Sequence, residues 1–164
     1  MKPVPADQPL VPSVLDRLLD EDPGVGREPP KSRNQVLREL KQSVRRDLEN
    51  LLNTRWRCKS WPAHLDELEL SLASYGIPDI TGTDLGSSGQ RERFRRIMEA
   101  VIRRFEPRFR RVTIEILESS DPLDRTLRFR IDALLRVEPV PEPVVFDSAL
   151  EPATGNVQIE GSGR

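Results

Sequence analysis

The sequence has few of the residues that build disulfides, metal sites and nucleophilic catalytic centres. Cys58 is the only cysteine and His64 the only histidine among 164 residues. One cysteine excludes an intrachain disulfide and a multi-cysteine metal site, and it fits a reducing cytosol. One histidine excludes any two-histidine metal motif. If Cys58 and His64 acted as nucleophile and base, we would expect a glycine-rich elbow beside them, and the sequence has none. We therefore expect a buried thiol and a surface histidine.

Long apolar runs and a net charge of one sign are also missing. No run approaches the roughly 18 apolar residues of a membrane-spanning helix, and residues 1–5 lead into no apolar region typical of a secretory signal. The formal net charge is −1, with 36% hydrophobic and 32% charged residues. The composition predicts a globular protein with a heavily charged surface and no membrane insertion. There is no phosphate loop or dinucleotide fingerprint, and we expect no cofactor.

Helical periodicity dominates the first two thirds of the chain. It predicts a short helix over 13–19 capped by Ser13, and a longer helix that Ser32 caps and that ends at 53–55. A third helical piece is predicted after 60–62, with a left-handed cap at Gly76. Its expected buried stripe consists of four residues: Leu65, Leu68, Leu72 and Tyr75.

A loop over 81–89 separates these segments from a fourth helix with the clearest pattern. Its apolar residues recur at spacings of three and four: Phe94, Ile97, Met98, Val101, Ile102 and Phe105. Glu92 with Arg96, and Glu99 with Arg103, are helix pairs in the favourable order.

After Pro107 the apolar period changes from 3.6 to 2, which indicates strands. Residues 112–116 and 127–135 alternate between apolar and polar, and an Asp/Pro turn over 119–124 joins them as an antiparallel hairpin. Residues 144–146 and 157–159 are weaker strand candidates. Helices followed by strands predict an α+β fold, in which the fourth helix packs on a small antiparallel sheet.

Proline and acidic residues suggest how the chain is divided. Residues 1–12 hold four of fifteen prolines, and residues 138–152 hold four more. We expect a flexible arm over 1–12, one folded domain over 13–137, and a Pro-rich acidic extension over 138–164 that adds one or two strands.

The many charged residues raise two other functional classes, a nucleic-acid-binding module and a lysozyme-like hydrolase. Residues 91–111 contain nine arginines and three glutamates, but a nucleic-acid-binding module would need an uninterrupted basic face with aromatic platforms. A lysozyme-like hydrolase would need two carboxylates about 5–10 Å apart in a sugar cleft. No carboxylate pair here is flanked by the aromatic and amide residues of such a cleft. Both classes remain alternatives to a protein-docking role.

The candidate site is the helix-to-strand corner at Glu106, Pro107 and Arg108. Proline cannot continue a helix interior, so it sets the point where helix becomes strand. The corner also carries one carboxylate and one guanidinium. These residues either hold the chain's own corner, with Glu106 paired to an arginine of the same helix and Arg108 covering the helix C-terminus, or bind a partner.

Four segments in order resemble the TssE family, the small baseplate wedge subunit of bacterial type VI secretion systems. TssE is similar to the phage baseplate wedge protein once labelled a gene-25-like lysozyme. The segments are residues 13–18, 43–55, 74–79 and 105–109, and the last contains the Glu-Pro-Arg motif of the family at Glu106, Pro107 and Arg108. The acidic stretch after Val137 does not match the family motif by motif.

The resemblance implies a non-enzymatic structural role without cofactor or metal. It implies protein partners in the baseplate: the wedge subunits TssF and TssG, with TssK, the spike and the contractile TssB/TssC sheath. It also implies a cytoplasmic protein that assembles at the inner face of the cytoplasmic membrane. Physically, a sheet edge can accept a strand from another chain, and an arginine beside it can clamp a carboxylate. We therefore expect the hairpin edge and Arg108 to face the sheath, and the N-terminal helices to bind wedge subunits.

Overall fold

The computed structural model describes most of the chain. The described residues are 14–18, 31–56, 62, 64, 65, 67, 68, 71–79, 87–118 and 126–161. Several predictions lie outside them: the arm over 1–12, the Ser13 cap, the Cys58 thiol, most of the loop over 81–89 and the hairpin turn over 119–124.

Three α-helices have the positions that the periodicity predicts. They are α1 (Val14–Leu18), α2 (Arg33–Asn53) and α3 (Ser88–Phe105). α2 begins with a capping box: Ser32 Oγ accepts a hydrogen bond from the Gln35 N–H, and Gln35 Oε1 accepts one from the Ser32 N–H. Ser87 caps α3, so α3 starts within the last part of the predicted loop.

Four antiparallel strands form one sheet. They are β1 (Phe109–Leu117), β2 (Leu127–Leu135), β3 (Glu142–Glu151) and β4 (Asn156–Gly161), in the spatial order β1-β2-β3-β4. The predicted hairpin and both weaker strand candidates are confirmed, as is the α+β class. Each strand pairs with its neighbour in sequence, and β1 and β4 are the two edges of the sheet.

The two long helices cover one face of the sheet. α3 packs on β1, α2 packs on β4, and the helices contact each other. Phe94 of α3 meets Phe129 of β2 edge-to-face, with ring centroids 5.8 Å apart, and Phe129 and Ile131 are fully buried beneath the helices. Burial of each such side chain stabilises the fold by roughly 1.5–3 kcal/mol. The apolar stripes of α2 and α3 therefore form one core with the inner face of the sheet.

The third predicted α-helix is wrong for the described residues. Hydrogen bonds there link residues three apart, from the Leu68 N–H to the Leu65 carbonyl and from the Ser71 N–H to the Leu68 carbonyl, and Leu72–Ser74 forms a 3₁₀ turn. A 3₁₀ turn has three residues per turn rather than 3.6, so residues at α-helical spacing do not all lie on the same face of it. Leu72 is accordingly 88% exposed, whereas Ser74 is fully buried.

Gly76 joins this segment to the end of α2. Its φ is +104°, the positive value expected of a glycine cap. The Ile77 N–H donates to the Thr54 carbonyl at 2.9 Å, and Trp56 Nε1 donates to the Gly76 carbonyl at 2.7 Å. A Cβ on Gly76 would lie 2.4 Å from the Thr54 oxygen. The close contact between the two segments therefore requires glycine.

Ser148 is a buried polar residue of β3. Its side chain belongs to the buried row of β3, and among the described residues its hydroxyl is a buried group with no hydrogen-bond partner. Replacing Ser148 with alanine removes an unsatisfied polar group, so we expect the free energy of unfolding to rise by up to about 1 kcal/mol. Urea denaturation of both proteins measures this change. A clear loss of stability would show that the hydroxyl has a partner.

Candidate functional site

The corner at residues 106–108 is a tight turn between α3 and β1. The Glu106 N–H still donates to the Ile102 carbonyl at 2.9 Å, and the Phe109 N–H donates to the Glu106 carbonyl at 3.2 Å. Glu106 precedes a proline and adopts φ −117° and ψ 79°, outside the helical region. The helix therefore ends at Phe105 and the strand begins four residues later, at Phe109.

Arg108 binds carboxylates on two elements. Its Nε donates to Glu106 Oε1 at 2.6 Å, and one terminal nitrogen, NH2, donates both to Glu106 Oε2 and to Asp47 Oδ2, the latter at 2.6 Å. The other terminal nitrogen, NH1, donates to Ser43 Oγ at 3.2 Å. Asp47 and Ser43 lie one turn apart on α2, so Arg108 ties the corner to the middle of that helix.

The Glu106 and Arg108 side chains are largely shielded from solvent. The Glu106 side chain is 5% exposed and the Arg108 side chain 24%. Burial alone would lower the pKa of Arg108, but its hydrogen bonds and charge interactions with Glu106 and Asp47 outweigh that effect and raise it. For the neighbouring Tyr75, burial has the opposite effect and raises the pKa, and the charges of Asp47 and Glu106 raise it further. The arginine is thus held in its charged form by the two carboxylates.

The same network reaches the N-terminal helix. Asp16 of α1 accepts hydrogen bonds from Ser43 Oγ at 2.7 Å and from Arg46 NH2 at 2.8 Å. Arg46 Nε also donates to Asp47 Oδ1 at 3.3 Å. The hydrogen bond that Arg46 donates to Asp16 is the largest cause of the raised pKa of Arg46. α1 is therefore attached to α2 through its one acidic residue.

The attachment leaves the apolar residues of α1 facing outward. Val14, Leu15 and Leu18 are 72%, 55% and 74% exposed. The described part of the chain thus holds a short helix whose acidic residue faces the protein and whose apolar residues do not.

Sequence reasoning identified part of this site. Glu106 and Arg108 were predicted to form the corner, and they are paired with each other rather than with an arginine of α3. Their partners on α2 were missed, because charged residues between apolar helix positions usually face solvent. One signal was present: Ser43 and Asp47 are spaced i,i+4 and directly precede Val44 and Leu48 of the buried stripe. The expected partner-binding role of Glu106, Pro107 and Arg108 stays a prediction.

The other candidates from the sequence form no centre in the described residues. His64 is exposed, as expected, and Cys58 lies outside the described part. Within the described ranges, no three histidine, cysteine or acidic side chains converge as a metal ion would require. No helix among the described segments has the length and hydrophobicity to cross a bilayer.

Comparison with known proteins identifies the family. The profile of the family described as Baseplate wedge protein gp25 matches residues 38–140, well over half of the chain, and this match includes most of α2 and all of α3, the corner, β1 and β2. The chain belongs to this family. The recognition made from the sequence motifs is therefore confirmed at the family level, and the protein is a structural component of a baseplate.

Comparison with solved structures finds a similar chain in a structure described as the baseplate complex from the type VI secretion system. The identity is 22% over 72% of this chain and 96% of that chain, with a TM-score of 0.48. No curated protein matches significantly.

Proposed function

We propose that this chain is a TssE-type wedge subunit of a type VI secretion baseplate, where it acts as a non-enzymatic platform for assembly of the contractile sheath. The observation that carries the proposal is the family match over 38–140. It contains three of the four TssE-like segments, in order. The remaining segment, residues 13–18, contains α1. It is attached to the segment 43–55 through Asp16, which accepts a hydrogen bond from Ser43. The motifs are therefore parts of one connected structure.

The groove between α2 and β3 does not have the carboxylate pair of a glycosidase cleft. It has a volume of about 320 Å³ and is lined by Lys41, Arg45 and Glu142 with neighbouring residues of β3 and Gly161. Glu142 is the single carboxylate of this lining, and it accepts a hydrogen bond from Lys41 at 2.9 Å. A glycosidase needs two carboxylates across its cleft, one of which acts as acid. A single carboxylate neutralised by lysine does not provide that chemistry.

The partners in this proposal are TssF and TssG in the wedge, with TssK and the spike nearby, at the inner face of the cytoplasmic membrane. The hairpin side of the molecule, with β1 and Arg108, faces the TssB/TssC sheath, and the N-terminal helices face the other wedge subunits. Pro107 is exposed and Arg108 retains partial exposure at the start of an edge strand. The exposed apolar residues of α1 support contact between the N-terminal side and other subunits.

Co-expression with TssF and TssG from the same bacterium tests the proposal. We expect the three proteins to purify together through a tag on TssG and to remain together in size-exclusion chromatography at 0.15 M salt, roughly physiological ionic strength. Matched arms ask whether the purified chain releases soluble fragments from cell wall and whether it retains DNA in a salt-dependent way. A chain that fails to join TssF and TssG, or that degrades cell wall, contradicts the proposed function.

A further inference from the structure

The outer edge of β1 is occupied by side chains of α3. The Ile114 N–H donates to Glu99 Oε1 at 2.9 Å, and Arg103 NH2 donates to the Val112 carbonyl at 3.0 Å. β1 has a strand neighbour on one side only, which is β2. The two backbone groups therefore point away from β2, toward the position that an added strand would occupy.

Glu99 is held firmly in this position. It is a buried residue with 7% exposure, and it also accepts hydrogen bonds from Arg95 NH1 at 2.6 Å and from Arg103 NH2 at 3.2 Å. A buried carboxylate is costly unless hydrogen bonds and opposite charges satisfy it. Here two arginines and one backbone N–H do so, and the backbone N–H belongs to the sheet edge. The ion-pair cluster of α3 is thus built around the edge of β1.

The edge of β4 is closed in the same way by α2. Asn53 Nδ2 donates to the Val157 carbonyl at 2.8 Å, and the Val157 N–H donates to Asn53 Oδ1 at 2.8 Å. In an antiparallel ladder, two opposite residues exchange these same two hydrogen bonds. The side-chain amide of Asn53 therefore takes the place of a residue on a neighbouring strand. Arg45 NH1 adds a hydrogen bond to the Ile159 carbonyl at 3.1 Å.

We propose that these helix side chains, the edge plugs Glu99–Arg103 and Asn53, close both sheet edges against pairing with a second copy of this chain. An open edge presents unpaired N–H and C=O groups that template strand addition. Two identical edges related by a two-fold axis run antiparallel and complement each other without any further sequence requirement. The second copy is thus the occupant that an unplugged edge fits directly. Each plug supplies two of the hydrogen bonds that such pairing would provide.

The test compares plug variants with matched controls on the same helices. Glu99→Ala/Arg103→Ala opens β1, and its control Glu92→Ala/Arg96→Ala removes another i,i+4 ion pair of α3. Asn53→Ala opens β4, and its control Asn50→Ala removes an exposed asparagine one turn earlier in α2. Sedimentation equilibrium should show at least about tenfold tighter self-association for the plug variants than for the controls and the unmodified chain.

Amide hydrogen exchange locates any new contact. In the opened β1 variant, the Ile114 amide should exchange faster than in the unmodified chain at low protein concentration. It should regain protection as concentration rises, because a second copy then covers it. Folded plug variants that self-associate no more than their controls overturn the proposal, as does self-association without concentration-dependent protection at Ile114 in the β1 variant.

A further variant keeps the test decisive when the double variant does not fold. Arg103→Ala leaves Glu99 in place and removes a side chain that is 59% exposed, so the core is unchanged. On the edge of β1 it frees only the Val112 carbonyl, and Glu99 keeps its hydrogen bonds with Arg95 and the Ile114 N–H, so we expect a smaller rise in self-association. If self-association rises in neither Arg103→Ala nor Asn53→Ala, the proposal is wrong. All measurements use the isolated chain, so the result is independent of whether TssF and TssG bind.

Discussion

Replacing Arg108 with alanine should lower the free energy of unfolding by about 3 kcal/mol. Removing one partner of a buried ion pair costs about 3–5 kcal/mol, because the other charge stays buried without compensation. Glu106, at 5% side-chain exposure, is left in that state. Asp47 is 29% exposed, so water relieves part of its loss and places the expected value at the lower end. Urea denaturation measures the change.

The control is Arg110→Ala, which removes an exposed arginine two residues along the chain and should change stability by less than about 0.5 kcal/mol. Glu106→Ala/Arg108→Ala removes both charges of the pair and should recover part of the loss, since the two residues are coupled. A loss in Arg108→Ala no larger than in Arg110→Ala would show that the pair does not hold the corner.

The same double variant separates the local role from the partner role. If it folds and still supports normal sheath assembly and secretion, Glu106 and Arg108 serve only their own chain. If it folds but no longer joins TssF, TssG or the sheath, the corner binds a partner as well.

Replacing Gly76 with alanine should lower the free energy of unfolding by about 2–4 kcal/mol. Two effects combine. A φ of +104° is strained for any residue with a Cβ, and the new Cβ would lie 2.4 Å from the Thr54 carbonyl oxygen. That oxygen accepts the Ile77 N–H, so relieving the overlap breaks the contact between the two segments. Thermal and urea unfolding both report the loss.

Gly89→Ala is the matched control for this change. Gly89 lies in the first turn of α3, and a Cβ there meets nothing within 4 Å. Alanine is the better helix former, so stability should stay the same or rise by up to about 1 kcal/mol. Equal losses in the two variants would mean that the backbone at Gly76 tolerates a side chain.

The spacing of apolar residues predicted most of the helices and strands, because an element that buries one face against the core has apolar residues at the period of that face. α2, α3 and all four strands each have one face in the core and one outside, so their apolar spacing follows their geometry. The corner was predicted for an equally local reason, since Pro107 lacks the N–H that would continue α3.

The errors and omissions arise where contacts distant in sequence decide the structure. Between 62 and 75, leucine spacing matched an α-helix, but the described residues there form tighter turns, and the chain that follows is tied to Thr54 and Trp56 through Gly76 and Ile77. The α2 partners of Arg108 are 61 and 65 residues away. The spacing of Ser43 and Asp47 places both on one face of α2, but a single sequence does not indicate which distant residue meets that face. Asn53, read as a helix stop, also occupies the edge of β4. These roles became visible only with the tertiary arrangement.

The sheet order has a consequence for synthesis on the ribosome. α2 emerges early, yet the strand on which it packs is the last of the sheet, and Asn53 must wait 104 residues for Val157. Each hairpin can form as it emerges, because neighbouring strands are consecutive. The first long helix, by contrast, finds its final place only after the last strand is translated. A nascent chain that stalls before β4 therefore has a nearly complete sheet but leaves part of the apolar face of α2 exposed, as in the intermediates that chaperones recognise.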